Sequence, residues 1–292
     1  MTGGRGSLAA ILGEHFASRG NPVVRFSRAP AGELRRLEEL FASRDFSSSD
    51  ALLHLAWSTV PFSAEQNPGA EQAHDLPLLR RLLDLMAATP AAQRPHFVFF
   101  SSGGTVYGNA IPGRAHREDD PCSPIGRHGQ AKLAAESLIR EHASRSGIVW
   151  TILRISNPYG FPVSPDRRQG IIPVAIKAAR EGQTMTLWGD GSARKDFLHY
   201  SDFGEAVARV VARRIPGLLN VGSGESHTIR EVLDLVESAT GQQIRTRHVP
   251  AFPWDVHENQ LDNSRLRAAI DWKPQVSLEE CIRRMAAVSA VA

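Results

Sequence analysis

Apolar side chains follow two patterns that alternate along the first half of the chain. Short, nearly continuous apolar runs are typical of strands that helices cover on both faces of a parallel sheet. Between these runs apolar residues recur at helical spacing, and the first such stripe runs from Leu8 to Phe16 and stops at Gly20. The patterns predict strands over 22–27, 51–57, 96–102 and 148–156, and helices over 7–20, 76–88 and 129–147.

This alternation indicates an α/β fold with a doubly wound parallel sheet. The pattern changes after about residue 157, where a Pro/Gly-rich loop is followed by helical segments over 174–182, 203–213 and 228–240. We expect this second part to form a smaller lobe that caps the carboxyl edge of the sheet.

Composition excludes several classes of protein. Hydrophobic residues make up 42% of the 292 residues and charged residues 22%, as suits a soluble globular protein. The net charge is +3, and the basic residues are scattered along the chain. No basic run interleaved with aromatic residues points to nucleic acid. Cys122 and Cys281 form no CxxC pattern, and the run LAAIL is too short for a membrane span or a signal peptide. We expect a cytoplasmic protein with neither a membrane nor a nucleic-acid partner.

The chain opens on a glycine-rich turn, TGGRGSLAA, that leads into the first helix. Gly3, Gly4 and Gly6 let the backbone approach a pyrophosphate, and the helix N-terminus supplies amide donors; an ordinary loop is the alternative. Ser27 and Arg28 stand where a carboxylate would bind the adenosine ribose. An arginine there favours a 2′-phosphate, and therefore NADP over NAD, unless Arg28 is only a solvated surface residue.

The strand that should feed this turn is missing, because only the methionine precedes Thr2. Its loss would leave backbone groups of two neighbouring strands without partners. We expect either a true start upstream of Met1 or a compromised domain.

Nine segments, in order, resemble the extended short-chain dehydrogenase/reductase family, in particular the NAD-dependent nucleotide-sugar epimerases and dehydratases typified by UDP-glucose 4-epimerase. The resemblance covers nearly the whole chain. It implies an NAD(P)-binding Rossmann-type domain at 1–157 with about 196–222, and a nucleotide-sugar-binding lobe at 158–195 and 223–292. The segments are TGGRGSLA, HLAW, FFSSGGTVYG, EDDPCSPIGRHGQAKLAAE, LRISNPYG, GIIP, LWGDGSARKDFLHYSDF, NVGSGESHTIREVL and LDNSRLRAAIDWKPQVSLEECI.

The resemblance implies a definite chemistry. In this family a nicotinamide removes hydride from a sugar carbon, a tyrosinate takes the hydroxyl proton, and a lysine binds the nicotinamide ribose. Lys132 matches the lysine, but His128 stands at the tyrosine position. The position of the hydroxyl that bridges substrate and tyrosine is Gly103, which leaves Ser102 or, by preference, Thr105 to supply it.

His128 admits two interpretations. A neutral imidazole, with an ordinary pKa of about 6.5, could accept the sugar proton, and Lys132 nearby would lower that pKa further. Alternatively, His128 is a tolerated residue of the cleft without a catalytic duty.

Further ligand contacts follow from the resemblance alone. Leu55 and Ala56 would lie along the cofactor with the glycines and Lys132. Asn157 would contact the nucleotide diphosphate and Ile171, within GIIP, the base. Trp188 would face the uracil or thymine, or else pack in the core.

The diphosphate clamp departs from the family's pair of arginines. Lys195 occupies the first position and keeps the charge but not the bidentate fork. Phe252, three residues before Asp255 of the substrate motif FPWDV, occupies the second and loses both. Asp75 replaces a usual asparagine at the start of a helix, where an acid is electrostatically favourable.

Two functions therefore stay open. The retained motifs favour an NAD(P)-dependent epimerase or dehydratase acting on a UDP- or dTDP-hexose through a 4-keto intermediate, with slow turnover. The altered base, hydroxyl and clamp favour a catalytically silent protein that binds a dinucleotide or a nucleotide sugar. In either case the helices at 76–88 and 130–146 would form a homodimer face.

Overall fold

The computed structural model describes residues 1–42, 46–111, 113–161 and 170–288. Besides the strands and α-helices given next, the structure contains single helical turns of π type (Glu71–Asp75) and 3-10 type (Ala91–Gln93). The strands are β1 (Phe26–Ser27), β2 (Arg35–Arg36), β3 (Ala51–His54), β4 (His96–Ser102), β5 (Trp150–Ile155), β6 (Asn157–Tyr159), β7 (Met185–Trp188), β8 (Arg194–Lys195), β9 (Phe197–His199), β10 (Gly217–Val221), β11 (His227–Thr228) and β12 (Thr246–Val249). The α-helices are α1 (Ser7–Ala17), α2 (Leu37–Ala42), α3 (Pro61–Gln66), α4 (Leu76–Ala88), α5 (Arg127–Ser146), α6 (Ile171–Glu181), α7 (Tyr200–Ala212), α8 (Ile229–Thr240), α9 (Ser264–Ile270) and α10 (Leu278–Val288).

Four parallel strands form the main sheet in the order β10–β5–β4–β3, which confirms the predicted α/β class. β4 and α4 have the predicted bounds. The other predicted helices begin and end within three residues of their predicted bounds. The predicted strand over 22–27 is shorter than expected, because β1 pairs with β2 through Phe26 and Ser27 alone.

Residues 1–2 lie between β1 and β3, where the sequence led us to expect unpaired backbone groups. Thr2 forms parallel bridges to both Phe26 and His54. Its N–H donates to the carbonyl of Leu53 at 3.0 Å, and the N–H of Phe26 donates to the carbonyl of Met1 at 2.8 Å. The expected loss of pairing is therefore smaller than the sequence suggested, since these two residues link β1 to β3.

Helices cover both faces of the sheet, which explains its continuous apolar strands. Val98 and Phe100 of β4 pack into one core with α1, α7 and α9. Phe97 and Phe99 of the same strand pack into a second core with α4 and α5. Consecutive residues of a strand point to opposite faces, so a strand buried on both faces is apolar throughout.

A third core lies in the C-terminal part of the chain. It joins α6, α8 and α10 to β7 around Ile172, Val232 and Ile282, and β12 pairs with β7. β10 returns the chain to the main sheet beside β5. The predicted domain limits stay predictions, and residues 162–169 of the Pro/Gly-rich loop lie outside the described residues.

The two helices predicted to form a dimer face, α4 and α5, pack side by side over the second core. Dimerisation itself stays a prediction. Within the described ranges, no helix is both long and apolar enough to cross a membrane.

One ion pair ties α5 to β5 inside the protein. Glu136 is fully buried and accepts two hydrogen bonds from Arg154, from Nε at 3.0 Å and from Nη2 at 2.8 Å. The hydroxyl of Ser101 donates to the same carboxylate at 2.6 Å, and the guanidinium carbon of Arg154 lies 4.6 Å from the centre of the Tyr107 ring. Nη2 of Arg140, on the next turn of α5, also lies 2.8 Å from Oε2 of Glu136. The buried Glu136–Arg154 pair fixes α5 against the sheet.

Candidate active site

The glycine turn lies against the backbone that follows β3. Gly3 has a φ of +73°, and a Cβ at this residue would lie 2.6 Å from the amide nitrogen of Ala56. Gly6 caps α1 without a side-chain hydrogen bond, and the first turn of α1 holds no acidic residue. Helix amides at this end attract anions, so the turn fits the pyrophosphate of a dinucleotide.

The residues expected near the adenosine lie at the end of β1. The buried hydroxyl of Ser27 forms a local turn, with 3.3 Å contacts to the backbone of Ala29. Arg28 is exposed beside it. The arginine is therefore accessible to a ligand, and the choice between NAD and NADP stays open at this position.

Lys132 is buried in an unusual setting. Its Nζ donates to the carbonyl of Phe100 at 2.8 Å and lies 3.8 Å from the centre of the Trp57 ring and 4.9 Å from that of Phe99. Burial lowers the pKa of Lys132 to about 7, while the negative charges of Asp75, Glu136 and Glu71 act in the opposite direction. The lysine can therefore lose its proton near neutral pH.

His128 lies in the first turn of the same helix, four residues before Lys132, and is also buried. Burial, and then the charge of Lys132, lowers the pKa of His128 to about 3. The sequence had indicated the effect of the lysine, but desolvation is the larger cause. The imidazole is therefore neutral at physiological pH.

Sequence reasoning missed the partners of His128. The hydroxyl of Thr59 lies 3.4 Å from Nδ1 of His128 and donates to Oε1 of Glu71 at 2.5 Å. Both partners are buried. The only available signal was the short polar stretch Ser58–Thr59 directly after an apolar strand.

Asp75 has a different role from the one expected. It precedes α4 but forms no side-chain cap. Its Oδ2 instead accepts hydrogen bonds from the amide and the hydroxyl of Ser58, at 2.9 and 2.5 Å. Glu71 and Asp75 thus hold the two neighbouring hydroxyls after β3.

The two candidate bridging hydroxyls differ in access. Thr105, the preferred candidate, contacts α5 through its carbonyl, which would lie 2.6 Å from a Cβ at Gly129. Its hydroxyl, however, is fully enclosed and has no hydrogen-bond partner among the described residues. The hydroxyl of Ser102, at the end of β4, is not enclosed in this way. Ser102 is therefore the better placed of the two to meet a ligand.

The expected substrate residues lie on different elements, and each has contacts within the protein. Nδ2 of Asn157 donates to the carbonyl of Asp196 at 2.9 Å, which fixes β6 to β9. Ile171 opens α6 and packs against the third core. Nζ of Lys195 lies 3.0 Å from Oδ1 of Asp255, so the cation of the clamp is already paired.

Trp188 lies at the surface, with 51% of its area exposed, so the core-packing alternative does not hold. Its ring stacks on Phe252 at 5.7 Å, and Phe252 stacks on Trp254 at 4.6 Å. Phe62 of α3 meets the edge of Phe252 at 5.7 Å. This aromatic cluster (Phe62, Trp188, Phe252 and Trp254) spans from α3 to the loop after β12 and stands where the family's second arginine would be.

Comparison with known proteins agrees with this geometry. The sequence profile of the NAD dependent epimerase/dehydratase family matches residues 1–222. The chain is 25% identical to a UDP-glucose 4-epimerase of Mycolicibacterium smegmatis, over 97% of this chain and 96% of that protein. It is 28% identical to a dTDP-6-deoxy-L-talose 4-dehydrogenase (NAD(P)(+)) of Kitasatospora kifunensis, over 98% of this chain and 93% of that protein. The crystal structure of the Thermus thermophilus UDP-glucose 4-epimerase in complex with NAD superposes with a TM-score of 0.87 at 26% identity, covering 98% of this chain and 96% of that one.

Proposed function

Because this chain belongs to the NAD dependent epimerase/dehydratase family, we propose that it uses NAD to modify a UDP- or dTDP-linked hexose through a 4-keto intermediate. One observation carries the proposal. Gly3 lies against Ala56, while Lys132 stacks on Trp57, the next residue. The anion-binding turn and the His128–Lys132 pair therefore converge on the carboxyl end of β3, where open parallel sheets bind their ligands.

The residues present fit a nicotinamide dinucleotide. The turn Gly3–Gly4–Gly6 and the amides of α1 would hold the pyrophosphate, and Leu55 and Ala56 would line its path. An ammonium has three N–H donors, and Lys132 uses one on Phe100, so two are left for ribose hydroxyls. When bound, the nicotinamide supplies hydride uptake and return. Arg28 would accommodate the 2′-phosphate if the cofactor is NADP.

Gly3→Ala tests this turn, and Gly20→Ala is its matched control. Both glycines have a similar left-handed φ, +73° and +75°, but a Cβ at Gly20 meets nothing within 4 Å. Both variants should lose about 1 kcal/mol from the backbone term. Gly3→Ala should lose at least about 1 kcal/mol more, from overlap with Ala56. Its affinity for NAD should also fall at least about tenfold.

Urea unfolding and calorimetric titration with NAD measure the two effects. Equal behaviour of the two variants in both measurements would show that the turn does not hold the cofactor.

His128 would serve as the proton acceptor for the sugar hydroxyl, with Ser102 orienting that hydroxyl. A neutral imidazole is in the right state to take a proton. Its conjugate acid, however, is disfavoured by burial and by Lys132. A base so far below the operating pH provides little driving force, so turnover should be slow relative to tyrosine enzymes.

The proposed substrate class rests on the relatives and on the side chains expected to contact the substrate. Relatives of similar length are a UDP-glucose 4-epimerase and a dTDP-sugar dehydrogenase. Trp188 offers a half-exposed ring on which a pyrimidine base can stack. Ile171 would contact the base as well. Asn157 and Lys195 would contact the diphosphate.

The test is a redox experiment on the purified protein. Nucleotide released by denaturation is assayed for NAD, and the native protein is then incubated without oxygen with UDP- and dTDP-hexoses. Appearance of the absorbance band of reduced nicotinamide, followed by epimerised or dehydrated sugar, supports the proposal. Bound NAD that no nucleotide sugar reduces would favour a silent binding protein instead.

Phe252→Arg tests the clamp. Phe252 is neutral and shielded between Trp188 and Trp254, so an arginine there would restore charge beside the diphosphate site. Charge-assisted hydrogen bonds contribute about 1.5–3 kcal/mol, so UDP should bind at least about tenfold more tightly. The gain should shrink at high salt.

Phe252→Gln is the control, because it removes the ring without adding charge. If the glutamine variant gains as much affinity as the arginine variant, the aromatic ring merely blocks the site and the clamp interpretation is wrong.

A catalytically silent binding protein is the second candidate. It is favoured because two cations expected to bind ligands already have partners within the protein. Lys132 contacts Phe100 and Trp57, and Lys195 pairs with Asp255. In that case nucleotide sugars should bind without any change in the redox state of the cofactor.

A further inference from the structure

Three buried groups from separate segments form one hydrogen-bonded row. Glu71 lies in the π-helical turn before α4, Thr59 in the loop after β3, and His128 in the first turn of α5. Their exposed fractions are 1%, 7% and 7%. Water therefore has little access to the row, and each group must find its partners among its neighbours.

The number of protons fixes the direction of each hydrogen bond. A hydroxyl has one hydrogen, and a carboxylate can only accept. Since Thr59 donates its hydrogen to Glu71, its oxygen can only accept from Nδ1 of His128. A neutral imidazole carries one N–H, which must then lie on Nδ1, and Nε2 keeps its lone pair.

The other ring nitrogen is available for chemistry. Among the described residues, no hydrogen bond involves Nε2 of His128, and Nε2 is not one of the enclosed polar atoms without a partner. The pKa of His128, lowered by burial and by Lys132, agrees with a neutral ring.

We propose that Thr59 and Glu71 are positioning residues that hold His128 as its Nδ1–H tautomer, so that Nε2 is the nitrogen that takes the hydroxyl proton of the substrate. The inference rests on the proposed function for the identity of that proton donor. In the transfer, the O–H bond of the sugar breaks and leaves its electron pair on oxygen. The N–H bond forms at Nε2, and the ring becomes an imidazolium whose Nδ1–H still points at Thr59 and, through it, at the carboxylate of Glu71.

The arrangement also explains why a carboxylate is buried here. The negative charge of Glu71 lies near Lys132, and the hydroxyl of Thr59 donates a hydrogen bond to its carboxylate. A carboxylate one hydroxyl away from an imidazole orients the ring and stabilises the cation that forms on proton transfer. The neighbouring pair of Ser58 and Asp75 has the same chemistry, but its hydrogen bonds do not reach His128.

Nitrogen NMR on the full chain with labelled histidine tests the tautomer directly. The signals of His128 are assigned as those lost in His128→Gln. At neutral pH we expect a pyrrole-type Nδ1 and a pyridine-type Nε2. The reverse pattern, or two tautomers in comparable amounts, would overturn the inference, and this result needs no variant of Thr59 or Glu71.

Variants of Thr59 separate positioning from simple packing. Thr59→Val keeps the shape but removes the hydroxyl, so the preference for one tautomer should disappear, whereas Thr59→Ser should retain it. Ser58→Ala, which removes the adjacent hydroxyl on Asp75, is the matched control and should leave the tautomer unchanged. A Thr59→Val protein with an unaltered His128 spectrum would contradict the proposal.

Activity gives an independent readout. Thr59→Val should lower kcat about 100-fold with little change in KM, and Thr59→Ser should recover most of it. Equal kcat values in the two variants would also contradict the positioning role. If the wild-type protein turns over no nucleotide sugar, the proposed function fails, while the NMR result still decides whether Thr59 and Glu71 set the tautomer.

Discussion

His128→Gln should reduce turnover about 10²- to 10⁴-fold, the range by which one general acid–base group typically contributes. Glutamine keeps a polar side chain of similar reach but cannot take a proton. Binding of NAD should change less than about twofold, since the glycine turn and α1, not His128, face the pyrophosphate. Steady-state kinetics and calorimetric titration measure the two quantities.

His142→Gln is the control on the same helix. His142 interacts with the carbonyl of Leu138 and with Asp84 and takes no part in the site, so activity should be unchanged. Undiminished turnover in His128→Gln would remove the imidazole from the mechanism. His128→Tyr extends the test: a tyrosine beside Lys132 restores the family's acid–base pair and should raise activity, whereas a fall would mean that histidine is fitted to a different reaction.

The second large effect concerns stability. Glu136→Gln should lower the free energy of unfolding by about 3–5 kcal/mol, because it leaves the buried cation of Arg154 without its counter-charge. The side chains of the pair are 0% and 3% exposed, so water cannot replace the lost partner. Urea unfolding followed by circular dichroism measures the loss.

Two comparisons make the stability result specific. Glu141→Gln, on the exposed side of α5 and paired with Arg145 on the same helix, should change stability by less than about 0.5 kcal/mol. Replacing both members of the buried pair, as Glu136→Leu with Arg154→Met, should recover most of the loss. A single Glu136→Gln variant as stable as the wild type would show that the pair contributes little.

Local sequence pattern was sufficient for the main elements. The bounds of β4 and α4 were predicted correctly because each element has a regular apolar pattern. A strand buried on both faces is apolar throughout, and a helix buried on one side has apolar residues at helical spacing. β1 was overestimated for a physical reason: a strand extends only as far as its neighbours can pair with it, and residues 1–2 offer a short partner. That partner cannot be read from the apolar run itself.

The candidate site was only partly predictable. His128 and Lys132 were identified through the resemblance of one motif to the family's pattern, but the neighbours that determine their protonation come from distant segments. Trp57 supports the lysine from the end of β3, and Thr59 and Glu71 meet the imidazole from a loop and a π-helical turn. The spacing of residues along the sequence does not predict these side-chain contacts, because they depend on how the helices pack on the sheet.

The aromatic cluster gives the molecule an optical reporter of its own. Trp188 and Trp254 flank Phe252, and Trp188 is half in water. A ligand that stacks on the Trp188 ring, or that displaces the Phe252 ring, must change the polarity around a tryptophan side chain. Tryptophan emission can therefore follow the binding of a ligand at this aromatic cluster without any label.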